Sequence, residues 1–334
     1  MILTKDKPRI LIDSFANPTK PAPLCTLSAE TELPSFITRT DIGYAVTNGT
    51  PETPATLIEL RRVSLKSGQP IIIATLQGEP MDVAWSPDGS SVAVLLSAYA
   101  TDGANGNQVW LKAGSAAPRA LTPLIEYGGR DGSLSDQTIV RFSHDGKYLL
   151  MVDTYIAGPA PQSANQAVIQ VYSVPDGKLI WVPPSALGSS QANKIDPAIT
   201  MAVWSQTSDR LYYRDLTGVH TWDPAATVAT LAAKLVWYSP TMSPDGSRLA
   251  YVANMTTQPR IEIRNLLDGS IRVLAGLKGE PLLLSDQEMI EAHYVRNTQF
   301  GPPFTPTSYY ILNLLTNQET ALPGILWPVD NWPR

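Results

Sequence analysis

The side chains of this 334-residue chain that could perform chemistry are scattered rather than grouped in a catalytic motif. No Gly-x-Ser-x-Gly nucleophile elbow occurs, so the sequence lacks the signature of a serine hydrolase of that type. His144, His220 and His293 fall in different predicted hairpins, and we expect no three-histidine metal centre. Cys25 stands alone, which excludes a disulfide framework and a thiolate metal site. The sequence therefore predicts no catalytic residue, no metal site and no cofactor.

Two short segments contain ligand-type residues without the rest of a site. Residues 102–107 read Asp-Gly-Ala-Asn-Gly-Asn, but Ala113 stands where a calcium loop requires an acidic residue. Residues 128–132 read Gly-Gly-Arg-Asp-Gly, and no helical pattern follows them, as a phosphate-binding loop would require. Both segments are therefore interpreted as solvated loops.

A recurring turn phrase predicts the elements that must position any site. Residues 85–89 read Trp-Ser-Pro-Asp-Gly, and the phrase returns at 242–246, at 142–146 with His in place of Pro, and in weaker form at 204–209. Pro and Asp suit the centre of a type I turn, and Gly suits the next position. An alternating apolar run follows each copy. The phrase therefore predicts a β-hairpin, repeated about every 40 to 60 residues.

A second hairpin follows each first one. Its copies lie at residues 62–69, 109–115, 171–178, 219–224, 263–270 and 310–317. Eroded first hairpins at 36–46 and 283–294 complete the pairs. Two hairpins make four strands, which is a propeller blade. The sequence thus predicts an all-β fold of six four-stranded antiparallel blades, with boundaries near residues 75, 135, 199, 238 and 279.

The Ser-Pro-Asp-Gly hairpin, with an aromatic residue before it and an Ala-Val or Ala-aromatic run after it, resembles the TolB-type propeller repeat, a relative of the WD repeat. The resemblance covers roughly residues 36–322. In a WD repeat a Trp-Asp dipeptide closes each blade. In this sequence the dipeptide at 222–223 lies inside a predicted hairpin. The resemblance implies a six-bladed propeller used as a binding platform, and it carries over no catalytic residue.

The repeats and the chain length together predict a single propeller domain over residues 1–334. Residues 1–30 would form a closing strand and linker, with Arg9–Asp13 pairing with blade six, residues 31–322 the blades, and residues 323–334 a tail. A net charge of −5 gives no electrostatic basis for nucleic-acid binding. No apolar run is long enough to span a membrane. Residues 1–8 lack the apolar segment of a signal peptide, although the low charged content of 16% favours an extracytoplasmic location.

Antiparallel strands place the connections of a blade alternately at its two ends. We call the end with the two tight turns the turn end, and the opposite end the loop end. The long segments assigned to the loop end are 98–107, 122–137, 155–166, 182–197, 254–260 and 296–307. Binding residues concentrate on long loops, so the loop end is the predicted binding face. The alternative is that hairpin geometry fixes the turn end and insertions are tolerated only opposite it.

The candidate binding residues are aromatic, arginine and other polar side chains assigned to this end, because such groups supply most contact energy. They are Tyr99, Asp102, Asn105, Tyr127, Arg130, Asp131, Tyr155, Asp196, Trp237, Tyr238, Phe300 and Phe304. The predicted function is a non-catalytic platform for a protein or glycan partner. The alternative is a propeller lyase or hydrolase that uses carboxylates near a central channel, such as Asp131, Asp136 or Asp196. A close acidic pair with raised pKa values would favour that enzyme.

Overall fold

Every regular element in the residues that the computed structural model describes is a β-strand. Those residues are 2–6, 9–13, 23–28, 31–38, 40–48, 57–99, 105–122, 125–126, 134–156, 166–183, 202–215, 218–233, 235, 237–254, 257–296 and 304–322. None of them belongs to a helix that could cross a membrane. The prediction of an all-β fold is confirmed.

Six antiparallel sheets follow one another along the chain, and we name them blades one to six. Blade one contains β4 (Thr31–Thr38), β5 (Asp41–Asn48), β6 (Leu57–Ser64) and β7 (Pro70–Gln77). Blade two contains β8 (Glu79–Trp85), β9 (Val92–Tyr99), β10 (Asn105–Lys112) and β11 (Arg119–Ala120), and β12 (Ile125–Glu126) also pairs with β10. Blade three contains β13 (Leu134–Phe142), β14 (Tyr148–Ile156), β15 (Gln166–Ser173) and β16 (Leu179–Trp181).

The remaining blades repeat the same order. Blade four contains β17 (Ala202–Trp204), β18 (Leu211–Asp215), β19 (Gly218–Asp223) and β20 (Ala226–Ala233). Blade five contains β21 (Tyr238–Met242), β22 (Arg248–Ala253), β23 (Arg260–Asn265) and β24 (Ile271–Leu274). Blade six contains β25 (Lys278–Leu283), β26 (Glu288–Arg296), β27 (Phe304–Asn313) and β28 (Glu319–Ala321). Each blade is therefore built from consecutive strands of one stretch of chain.

The chain divides into two compact units. One unit contains blades one to three. The other contains blades four to six and a separate N-terminal sheet of β1 (Ile2–Asp6), β2 (Arg9–Asp13) and β3 (Pro23–Ser28). The strand order in that sheet is β1-β2-β3, so β2 has a neighbour on both sides. The pairing predicted for Arg9–Asp13 with blade six was wrong, because both edges of this strand are already hydrogen-bonded within its own sheet.

The recurring turn phrase forms the predicted hairpin between the first and second strands. In blade two, the Ser86 hydroxyl donates to Asp88 Oδ1 at 2.6 Å and accepts the Ser91 amide at 2.8 Å. The Ser143 and Ser243 hydroxyls make the same pair of bonds in blades three and five. The glycine that ends each phrase has a positive φ, as predicted for Gly89 and Gly246.

The alternating strand residues build apolar layers between neighbouring blades of a unit. Leu60, Val83 and Trp85 belong to the layer that joins blades one and two. Ile263, Met289 and Leu312 belong to the layer that joins blades five and six. Each such side chain, when fully buried, contributes about 1.5–3 kcal/mol. These layers hold the loop ends of adjacent blades on a packed support.

Several strands extend further into the predicted loop-end segments than expected. The chain between β9 and β10 shortens to residues 100–104, because Tyr99 pairs directly with Asn105. Likewise, β14 reaches Ile156 and β27 begins at Phe304. The longest connections at this end are residues 49–56, 127–133, 157–165, 182–201 and 297–303. Antiparallel pairing continues beyond the hydrophobic pattern, which is why the sequence placed the strand ends too early.

Candidate functional site

The predicted binding residues divide into three groups. Asp102, Tyr127, Arg130, Asp131, Asp196 and Phe300 lie outside the described residues. Four others, Tyr99, Asn105, Tyr155 and Phe304, lie at strand ends on the loop end, and the structure describes their backbone pairing. Tyr99 pairs with Asn105, Tyr155 with Gln166, and Phe304 with Arg296. Asp136, proposed for the enzyme alternative, lies in β13 opposite Thr154. The binding role of these residues stays a prediction.

Trp237 and Tyr238, the third group, have described side chains. Trp237 is fully buried, and its ring centroid lies 6.1 Å from that of Tyr251. The Arg214 guanidinium donates to the Trp237 carbonyl at 3.4 Å and lies 5.9 Å from the centroid of the half-buried Tyr238 ring. Trp237 thus packs within the layer that joins blades four and five, whereas Tyr238 is only half-buried.

The first strands of blades one, five and six carry the same β-bulge near their loop ends. In each, two residues face a single residue of the second strand, and the second residue of the pair is proline. The pairs are Leu33 and Pro34, Ser239 and Pro240, and Glu280 and Pro281. Proline cannot donate to the strand ladder, so a bulge accommodates it. Bulges of this kind redirect a side chain and are common beside functional sites.

The residue before each of these prolines has strained backbone. Leu33, Ser239 and Glu280 have φ values of 47°, 45° and 48°. A non-glycine residue in this region costs about 1–2 kcal/mol. Such strain persists where the surrounding structure imposes it, and it is concentrated at functional sites. The loop ends of three first strands therefore hold side chains in an imposed orientation.

In blade six the strained residue is anchored by two tyrosines. The Glu280 carboxylate accepts a hydrogen bond from the Tyr309 hydroxyl at 2.5 Å and another from Tyr294 at 3.3 Å. Burial raises the pKa of both tyrosines, and the neighbouring Glu280 charge raises it further. Both hydroxyls therefore stay protonated and act as donors that fix the Glu280 side chain.

The opposite face of blade six carries a polar cluster of Lys278, Glu291, His293, Tyr310 and Glu319, which we call the Lys278 cluster. Glu291 and His293 are two residues apart in β26, so they lie on one face of the strand. The Lys278 ammonium contacts Glu291 Oε1 and lies 2.5 Å from Glu319 Oε1. His293 Nε2 lies 3.4 Å from Glu291 Oε1 and 3.4 Å from Glu319 Oε2, and its ring stacks on Tyr310.

Opposing effects set the charges in the Lys278 cluster. Burial alone would lower the pKa of Lys278, but its contacts with Glu291 and Glu319 raise it above the usual value. The Lys278 hydrogen bond is the main cause of a lowered pKa at Glu319, against a smaller opposing effect of burial. Lys278 is therefore charged and Glu319 ionised at neutral pH.

A groove of about 450 Å³ lies beside the Lys278 cluster, between the last strands of blades five and six. Lys278 and Glu319 are among its lining residues, and Arg272 lines its other side, where the guanidinium donates to the Leu314 carbonyl and to Asn317 Oδ1. The groove gives the polar cluster access to solvent and to small solutes.

The sequence did not predict the Lys278 cluster, because its members come from all four strands of the blade. The available signal was the Glu-x-His spacing at Glu291 and His293, which puts both side chains on one strand face. Nothing local connects that pair with Lys278 or Glu319. The three histidines do lie on different elements, as predicted, and it is His293 with two glutamates that forms a cluster.

No protein-family model matches the chain, and a search of curated proteins found no significant match. Solved structures do match it. The β-propeller domain of the Trilobed protease from Pyrococcus furiosus, described as having an open velcro topology, is 10% identical with a TM-score of 0.51, over 88% of this chain and 95% of that one. These values establish a shared fold rather than a shared activity.

Two peptidases match over a part of their length. The Pyrococcus horikoshii acylaminoacyl peptidase is 13% identical with a TM-score of 0.52, over 85% of this chain and 44% of that one. Prolyl oligopeptidase B from Galerina marginata is 10% identical with a TM-score of 0.55, over 87% and 42%. This chain thus spans less than half the length of either peptidase. With its blade order, the protein is an all-β, six-bladed β-propeller.

Proposed function

We propose that this propeller is a non-catalytic binding platform for a protein or glycan partner, and that the loop ends of its blades form the binding face. The observation that carries the proposal is the repeated proline bulge in the first strands of blades one, five and six. Three strained non-glycine residues at equivalent positions indicate that side-chain direction at the loop end is under a demand other than stability.

We further propose that the repeat is of the TolB type. The support is the side-chain geometry of the turn phrase in blades two, three and five, where a serine hydroxyl joins the aspartate to the start of the second strand. The weaker copies in the other blades retain the hairpin without the whole phrase. These turns belong to the turn end, so they have a folding role and leave the loop end free to vary.

The lyase or hydrolase alternative has less support from the described carboxylates. Glu291 and Glu319 form a close acidic pair, but Lys278 contacts both of them. A general acid requires a carboxyl group whose pKa is raised, and the pKa of Glu319 is lowered. This pair has the charge balance of an ion-pair network. The enzyme alternative therefore rests on Asp131, Asp136 or Asp196.

The chemistry expected of the partner follows from the composition of the chain. Charged residues make up 16% of the sequence, below the usual quarter, and the net charge is −5. The candidate residues are chiefly tyrosine, aspartate and phenylalanine. Such a face binds through aromatic contacts and hydrogen bonds, which suit a sugar or a neutral protein surface.

Paired substitutions at the two ends test the proposal. The loop-end variants are Tyr127→Ala with Arg130→Ala, and Phe300→Ala with Phe304→Ala. The matched control at the turn end is Lys147→Ala with Lys178→Ala, since both lysines are exposed. A glycan array and affinity capture identify the partner, and the affinity of each purified variant for that partner is then measured by calorimetry.

Each loop-end pair should weaken binding by about tenfold or more, because aromatic and arginine anchors carry about 1–2 kcal/mol each. The thermal transition should stay within about 0.5 kcal/mol of the wild type. The turn-end pair should bind normally. If the turn-end pair abolished binding while both loop-end pairs bound normally, the proposed face would be the wrong one.

A further inference from the structure

The Lys278 cluster joins two glutamates to a single lysine. The Glu291 side chain is fully buried, and its Oε2 atom has no hydrogen-bond partner. A buried carboxylate oxygen without a partner is costly, and native structures usually supply a donor or a cation. The cluster therefore has a position where a cation would be favoured.

The lysine leaves one oxygen of each carboxylate available. Its ammonium contacts Oε1 of Glu291 and Oε1 of Glu319. Oε2 of Glu291 has no partner, and Oε2 of Glu319 faces His293 Nε2 at 3.4 Å. One oxygen from each glutamate and one imidazole nitrogen thus remain as potential ligands. Because the ammonium holds the other oxygens, it orients both carboxylates without using these three atoms.

The spacing of His293 Nε2 from the glutamate oxygens fits a metal site better than a strong hydrogen bond. This nitrogen lies 3.4 Å from Glu319 Oε2, one of the three atoms, and 3.4 Å from Glu291 Oε1, the oxygen that Lys278 also contacts. Strong hydrogen bonds between nitrogen and oxygen measure about 2.7–3.2 Å. Ligand bonds of about 2.0–2.2 Å in a tetrahedral zinc site place neighbouring ligand atoms about 3.3–3.6 Å apart. Ligand atoms of all three residues lie within 4.8 Å of one another. A small rotation of the carboxylates would therefore bring all three within bonding distance of one ion.

We propose that Glu291, His293 and Glu319 bind one divalent cation of the zinc class. Imidazole with carboxylates is a ligand set that suits zinc, and three protein ligands leave a fourth position for water or a solute. His293 and Glu319 are each about one-third exposed, at 30% and 32%, so that position is accessible. The adjacent groove lined by Lys278 and Glu319 provides the route to it.

The direct test is a zinc titration of the whole chain, freed of metal by a chelator and carrying no histidine tag. Isothermal calorimetry with zinc chloride at neutral pH should give one ion per chain. His293→Ala and Glu319→Gln should each raise the dissociation constant for zinc by about tenfold or more. Both residues are partly exposed, so circular dichroism should show unchanged folding. Cobalt(II) should give the visible absorption of a tetrahedral site, and His293→Ala should remove it.

The matched control is His144→Ala, which removes a histidine from the turn of blade three and leaves the cluster intact. It should bind zinc as the wild type does. The proposal is overturned if the wild type binds no zinc with a dissociation constant below about 100 µM. It is equally overturned if folded His293→Ala and Glu319→Gln bind zinc with unchanged affinity.

Discussion

Gly246 and Gly269 have nearly the same backbone conformation in different surroundings. Their φ values are 70° and 73°, in the left-handed region that glycine tolerates best. A Cβ atom at Gly246 would lie 2.5 Å from the Thr207 hydroxyl oxygen, in a neighbouring turn, whereas one at Gly269 would have no atom within 4 Å. The two positions therefore separate the cost of the conformation from the cost of the contact.

The alanine variants of these glycines should differ in stability. Gly269→Ala should lower the free energy of unfolding by about 1–2 kcal/mol, which is the conformational cost alone. Gly246→Ala should lower the free energy of unfolding by more than this, because Thr207 must also move. Urea unfolding at neutral pH measures both. Equal losses would show that Thr207 yields without cost and that blades four and five are loosely packed at this turn.

The Asp245 carboxyl group makes the stability of the same turn depend on pH. Burial would raise the pKa of this carboxyl group, but hydrogen bonds from Ser243 and Ser247 lower it below the usual 3.8. Asp88 has a lowered pKa through the equivalent balance with Ser86 and Ser90. A lowered pKa in the folded state stabilises the protein above the unfolded pKa, and this stabilisation is lost as the pH falls through the folded pKa.

We therefore expect the wild type to lose stability as the pH falls below about 4. Asp245→Asn should be less stable at neutral pH by about 1 kcal/mol, since a charged acceptor is replaced by a neutral one. The difference between the two proteins should shrink between about pH 4 and pH 2. Urea unfolding at several pH values measures this. A difference that stayed constant down to pH 2 would contradict the assigned role of the carboxylate.

At the scale of the element, the proline bulge could not be predicted from the sequence. The Gly-Glu-Pro segments at 78–80 and 279–281 are visible as a repeat. The positive φ of the residue before proline is not, since that residue normally prefers extended backbone. The pairing of β25 with β26 shows two residues facing one at Glu280 and Pro281, whereas in blade two Pro80 pairs with Leu96 and Met81 is the extra residue.

Ser239→Gly tests whether this strain serves binding. Glycine adopts a φ of 45° without strain, so the free energy of unfolding should stay equal or rise by up to about 1 kcal/mol. Affinity for the identified partner should fall, because the directed side chain is lost. Thr241→Gly, two residues along the same strand, should lower stability as glycine in a strand does. A loss of stability in Ser239→Gly would show that the bulge has a purely structural role.

The elements differ in how far the sequence predicted them. The first hairpins were predicted because serine, proline, aspartate and glycine determine a turn over a few residues. The partner of β2 was predicted wrongly, since an apolar five-residue strand does not specify which edge it pairs with. The Lys278 cluster was missed because its ligand-type residues are brought together by strand pairing across residues 278–319. The turns, which depend on neighbouring residues, could be predicted from the sequence, whereas the pairing of strands distant in the chain could not.

At the scale of the whole molecule, one pattern of hydrogen bonding repeats through the described blades. The second and third strands have neighbours on both sides, and the fourth strand has one. Amide exchange measured by mass spectrometry should therefore be slow in β22 and β26 and faster in β24 and β28. Fourth strands as protected as second strands would indicate that another chain or segment covers their edges.

The predicted blade count and strand order hold across the described residues, because the same hairpin pair is encoded again and again. What the repeat does not encode is the loop end, where each blade differs. The binding residues proposed there come from segments without a shared sequence pattern. Each was therefore predicted from its side-chain type alone. The fold and the proposed binding face are thus encoded in different parts of the same repeat.

Each described blade takes its four strands from one uninterrupted stretch of chain, and blade six borrows no strand from the N-terminal sheet. A duplicated or deleted gene segment that encodes one such stretch would therefore add or remove a complete sheet, leaving every other ladder intact. Such an event would change the number of blades in a single step. The unit of duplication and the unit of hydrogen bonding would then coincide.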